Sequence, residues 1–128
     1  VCLGTTLGFF MTTPVIIALR AASHICFALL GAVLIRKIPE IIEKPLPSTV
    51  FNGGLAFVHA LAEVAVVSPF FLAGSIFKPE QLADGYVMSV LVLVGVGTFL
   101  HSLIDYTVSI MLWKPVRAAL PSLAELRE

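Results

Sequence analysis

Three apolar stretches, residues 14–37, 49–76 and 86–113, are each long enough to cross a bilayer as a helix, a crossing that takes about 20 residues. In lipid the backbone amides must be satisfied within the protein, so uninterrupted stretches of this length leave a helical bundle as the fold open to the chain. Composition agrees. Of the 128 residues, 59% are hydrophobic and 12% charged, with a mean hydropathy of +1.03, against ~25% charged in a soluble domain. The sequence predicts an all-α integral membrane protein, a single transmembrane domain over residues 1–128. It has three complete spans, a partial span or re-entrant segment at 1–13, and a cytoplasmic tail at 114–128.

Local signals place the ends. Pro14 suits a helix start, and Arg36, Lys37 and Pro39 close the first span. The segment IPEIIEKPLPS has three prolines and mixed charge, which marks a water-exposed loop. Pro69 cannot donate to the carbonyl of Ala65, so the second span should kink or break near that end. Residues 78–85 read as a short loop. The tail is too polar to span, but Leu120, Leu123 and Leu126 would line one side of a short surface helix. Gly4 and Gly8 form a GxxxG spacing that permits close helix contact. The chain opens Val1-Cys2-Leu3-Gly4, without Met or a basic leader region, and reads as the C-terminal part of a longer protein.

Eight basic and eight acidic residues balance, with no cationic stripe, which argues against a nucleic-acid partner. Cys2 and Cys26 form neither a CxxC motif nor a disulfide framework.

Each complete span carries an ionisable pair spaced i, i+4: Arg20 with His24, His59 with Glu63, and His101 with Asp105. A charged group at mid-span costs roughly 2.5 to 3.5 kcal/mol even on the mildest scale, so something must offset it. Residues four apart share a helix face, and the expected destination of all three pairs is a polar cavity inside the bundle. Neighbouring small or polar residues share those faces. Thr13, Ser23 and Gly31 accompany the first pair, Asn52 and Ala56 the second, and Thr98, Ser102 and Ser109 the third. Arg20, His24, His59, Glu63, His101 and Asp105 are thus the candidate substrate-binding residues. Arg20 is suited to bidentate capture of a carboxylate or phosphate.

Other chemistries fit less well. Ser23 beside His24, and Ser102 beside His101, stand about 100° apart on a helix, so neither makes a nucleophile and base pair. No helix has the HxxH or ExxH repeats of bundle metal sites, so neither metal nor cofactor is expected. The alternative from another class is a haem- or metal-binding redox membrane protein, since three histidines and two carboxylates could converge. A Soret band or stoichiometric metal would mark it.

The stretch TPVIIALRAASHICFALLGAVLIRK, with its R-A-x-S-H from Arg20, and the later GVGTFLHSLIDYTVSIMLWKP, with G-T-x-x-H-S-x-x-D from Gly97 to Asp105, resemble the later helices of a known family. It is the substrate-binding S component of energy-coupling factor (ECF) vitamin transporters. The resemblance implies a six-helix bundle of which this chain holds about the last three helices and part of another. It also implies a non-enzymatic uptake protein of a prokaryotic plasma membrane that takes a vitamin-like ligand from outside. Its partners would be a transmembrane coupling subunit and ATPase subunits, and niacin-like acids are favoured as ligand because of Arg20. The lack of a GxxxxGK[ST] loop agrees with ATPase activity lying elsewhere.

Orientation generates a first prediction. Arg36, Lys37 and Lys44 flank the first loop, Lys78 alone the second, and Lys114, Arg117 and Arg127 the tail, which the positive-inside rule turns into a cytoplasmic first loop and C-terminus. In cysteine-accessibility labelling of intact cells, positions near Lys78 should react from outside and those near Lys44 and Lys114 should be protected. The reverse pattern would overturn the orientation.

Overall fold

The structure, a computed structural model, describes residues 4, 6–8, 15–74 and 77–119. The expected surface helix carrying Leu120, Leu123 and Leu126 lies outside the described residues, as do Thr13 and Pro14. Near the N-terminus, Gly4 and residues 6–8 are helical.

The first span is α1, Val15–Lys37, followed by a 3-10 turn, Pro39–Ile42. Next come α2, Pro45–Leu72, and a short α3, Pro79–Ala83. The third span opens as a π-helix, Val87–Val96, and continues as α4, Gly97–Ala119. No strand occurs among the described residues, and three helical spans are long and apolar enough to cross a membrane.

The prolines explain where α2 begins and ends. Pro45 and Pro47 fall in its first turn, where backbone N–H groups have no intrahelical acceptor, so the helix starts within a segment that reads as loop in the sequence. Pro69 withholds a donor in the last turn, and the helix stops at Leu72. There the Ala73 N–H donates to the Pro69 carbonyl, the Gly74 N–H donates to that of Phe71, and Gly74 adopts φ 61°. A second left-handed glycine, Gly85 at φ 78°, turns the chain into the third span.

The π-helix widens the start of that span. Its last turn still carries an i→i−5 bond from the Gly97 N–H to the Val92 carbonyl. Gly95 lies on the side facing α2, where an added Cβ would stand 3.2 Å from Val64 Cγ2. Helix α4 then runs beyond Trp113 and through Pro115 to Ala119, past the expected end of the span.

α2 is the central helix, packed against α1 on one side and the third span on the other. Its buried positions, including Asn52, Ala56, His59, Glu63 and Val67, recur at spacings of three and four and so form one face. α1 contributes Ala18, Ala21, Ser23 and Gly31, small residues that let the two backbones approach. Large apolar side chains point outward instead, among them Leu29, Phe57, Leu61, Leu100, Ile104 and Met111, as expected where the surroundings are hydrocarbon.

Gly31 tests this contact. A Cβ there would lie 3.1 Å from Leu55 Cδ1, so Gly31→Leu overpacks the α1–α2 seam and should destabilise by about 1 to 3 kcal/mol in denaturant unfolding of the detergent-solubilised protein. Gly53→Ala, where an added Cβ meets nothing within 4 Å, should be neutral or stabilising.

Candidate functional site

The Glu63 carboxylate, on the buried face of α2, is only 2% exposed as a residue, yet lies in a span. Its neighbours come from the two i, i+4 pairs of the first two helices. Arg20, from α1, donates through Nε to Oε2. His24 Nε2, one turn along α1, stands 3.5 Å from Oε1, and His59 Nε2, one turn back along α2, stands 3.8 Å from the same oxygen. Four of the six candidate residues therefore meet around one carboxylate.

The surroundings hold these groups in place. His59 Nδ1 hydrogen-bonds Ser102 Oγ of α4 at 2.6 Å, which ties its ring to the third span. Phe27 packs against both imidazoles, with ring centroids 4.3 Å from His59 and 5.6 Å from His24. The Ser23 hydroxyl donates back to the Arg20 carbonyl at 2.7 Å. The cluster is asymmetric in exposure: the side chains of Glu63 and His59 are buried, whereas those of Arg20 and His24 are 43% and 41% exposed. Arg20 spends Nε on Glu63, which leaves the paired Nη groups at the tip of its guanidinium.

His101 and Asp105 are not brought to this cluster. They pair with each other, Nε2 to Oδ2 at 2.9 Å, on an exposed face of α4. Within the described helices the third pair thus stays apart from the other two. The part of α4 that packs on α2 is centred near Ser102 and Tyr106, roughly 80° around the helix from Asp105 and roughly 120° from His101. Thr98 is buried and Ser102 is bonded, so the inner edge of the polar stripe faces protein, whereas Ser109 is exposed. Asn52 donates to the Leu103 carbonyl at 3.2 Å, and the Ser48 and Tyr106 hydroxyls lie 3.2 Å apart. These last contacts border a separate cleft of about 220 Å³, lined by both polar and apolar side chains, at the first-loop end of the bundle. Tyr106 gave no signal in the sequence beyond sharing a helix with the stripe.

Two chemistries are open to the cluster. The guanidinium can take an anion, and His24, His59 and Glu63 present three ligand atoms that all lie within 4.8 Å of one another. The second possibility draws on two helices, so no single helix carries a metal-ligand repeat and the i, i+4 spacing of His59 and Glu63 is its one trace in the sequence.

The ion pair yields a third prediction. Breaking a buried pair from one side strands the other charge, at about 3 to 5 kcal/mol. Arg20→Ala, which strands the buried Glu63 beside its two histidines, should therefore cost near the lower end, about 3 kcal/mol, and Glu63→Ala, which leaves the half-exposed Arg20, should cost less. His101→Ala, which removes an exposed partner, should change stability by less than about 1 kcal/mol in the same unfolding assay.

Comparison with known proteins gives the chain a relative. No family model matches the chain, and no solved structure does. It is 34% identical over 122 residues, 94% of its length, to the niacin transporter NiaX of Lactococcus lactis subsp. cremoris (strain MG1363). The chain spans 53% of that relative's own length. The relative is a transporter, in line with the expectation from the sequence of a non-enzymatic uptake protein. The multi-pass membrane character of the chain follows from its helices and this match together. The resemblance stated from the sequence is borne out at the level of the whole match: this chain is a relative of a niacin transporter.

Proposed function

We propose that the chain supplies the ligand-capturing helices of an ECF-type uptake protein, and that Arg20 binds the carboxylate of a nicotinate-like acid arriving from outside the cell. The observation that carries this reading is the state of Arg20: a buried carboxylate braces it through Nε, while its side chain stays 43% exposed. A guanidinium fixed from behind loses little further entropy on gripping a ligand, and its Nη pair matches the two oxygens of a carboxylate. His24, exposed to a similar degree and one turn away, supplies a neighbouring aromatic and polar wall. The relative's name supports the ligand class, because niacin joins an aromatic ring to a carboxylate.

In this reading Glu63 and His59 position the clamp. His101 and Asp105 lie on a face that other parts of the transporter cover. Uptake requires a coupling subunit and ATPase subunits in the plasma membrane of a prokaryote, with the first loop and C-terminus cytoplasmic; the distribution of basic residues supports that orientation.

The test is titration calorimetry of the full-length purified protein with nicotinate, with nicotinamide as the uncharged comparison and thermal unfolding as the folding control. Arg20→Lys keeps the charge and loses the planar fork. Nicotinate affinity should fall roughly ten- to hundredfold, the equivalent of about 1.5 to 3 kcal/mol for a charge-assisted hydrogen bond. Nicotinamide should bind the unmodified protein more weakly than nicotinate does. An Arg20→Lys protein that binds nicotinate with undiminished affinity would refute the clamp.

A further inference from the structure

We propose that His24, His59 and Glu63 form a binding site for a transition-metal dication of the zinc class, with three protein ligands and one open position. His24 Nε2 and His59 Nε2 approach the same carboxylate oxygen, Oε1, at 3.5 and 3.8 Å, and all three ligand atoms lie within 4.8 Å of one another. Bonds of about 2.0 to 2.1 Å in a tetrahedral site set neighbouring ligand atoms about 3.3 Å apart. Seating a metal ion therefore takes a contraction of a few tenths of an ångström in the two distances to Oε1 and of at most about 1.5 Å in the third separation, between the two imidazole nitrogens. The half-exposed His24 side chain is the member free to make it.

A second observation points to a cation. His59 Nε2 is buried and has no hydrogen-bond partner, although the residue is only 6% exposed. Its other nitrogen is committed to Ser102 Oγ at 2.6 Å. When Nδ1 donates there, Nε2 presents a bare lone pair toward the Glu63 carboxylate. Acceptor then faces acceptor in a buried site, an arrangement that a cation between them satisfies. The Ser102 contact has the form of the outer bond that orients a metal-ligating imidazole.

Arg20 does not block this position, because it engages Oε2 and leaves Oε1 to the histidines. Two cations flanking one carboxylate do bias the open position toward an anionic fourth ligand. Two imidazoles and one carboxylate favour zinc, nickel or copper over magnesium or calcium, which prefer all-oxygen shells. The exposed side of His24 is the route of entry.

The experiment uses the full-length protein in detergent, its affinity tag removed, stripped of metal and free of nicotinate, titrated with Co²⁺ and followed by visible absorption. One equivalent should bind with the intense bands of four-coordinate cobalt, which Zn²⁺ should bleach. His59→Gln should abolish binding, and Ser102→Ala should weaken it about ten- to a hundredfold. His101→Ala, whose imidazole is also accessible, should leave it unchanged. Where thermal unfolding shows that His59→Gln does not fold, His24→Ala, altered at a half-exposed position, decides the matter and should weaken binding at least tenfold. Absence of saturable cobalt binding overturns the site, as does a titration that is the same in His24→Ala. Because nicotinate is left out, such a result leaves the Arg20 affinity test standing.

Discussion

The structure depends on keeping a carboxylate inside a membrane. Glu63 sits on the innermost face of the central helix, and an ionised group there has neither water nor headgroups to solvate it. It is tolerated because α1 brings Arg20 and His24 to its two oxygens while α2 supplies His59 from one turn away. That arrangement requires α1 and α2 to pack closely along this stretch. The small buried residues of α1, Ala18, Ala21 and Ser23, lie at the level of the cluster and permit the approach, and Gly31 extends it toward the first loop.

The third span is attached by different means. Its contacts with α2 are a series of polar bonds, Ser48 with Tyr106, Asn52 with the Leu103 carbonyl, His59 with Ser102 and Ser68 with Tyr86, distributed along the length of the central helix. In hydrocarbon, burial of apolar area does little to hold helices together, so bonds of this kind and close packing carry more of the association. One of them, His59 to Ser102, reaches the carboxylate cluster directly. Any shift of the third span relative to α2 therefore changes the orientation of an imidazole that faces Glu63, and this couples the packing of the bundle to the chemistry of the site.

The cluster is also asymmetric in exposure. Glu63 and His59 are enclosed, whereas Arg20 and His24 meet the surroundings on their outer sides. A guanidinium anchored through Nε on a buried carboxylate keeps its outer side accessible, and the proposed ligand clamp rests on that feature.

The number of spans and their all-helical character were legible in the sequence, because the length of an apolar run and the need to satisfy backbone amides in lipid are properties of the chain alone. So was the grouping of Arg20 with His24 and of His59 with Glu63, since i, i+4 spacing decides which residues share a face. Spacing does not say which face meets a neighbour. Tertiary packing decided that the first two pairs converge on one carboxylate, while the third, His101 with Asp105, closes on itself away from the cluster. The start of α2 at Pro45 and the π-helical opening of the third span also escaped the sequence. The first depends on which amides of an end turn go unused, and the second on hydrogen-bond register, which apolar composition leaves open. The pairing of Arg20 with Glu63, 43 residues apart, had no local signal, because it exists only once two helices lie side by side.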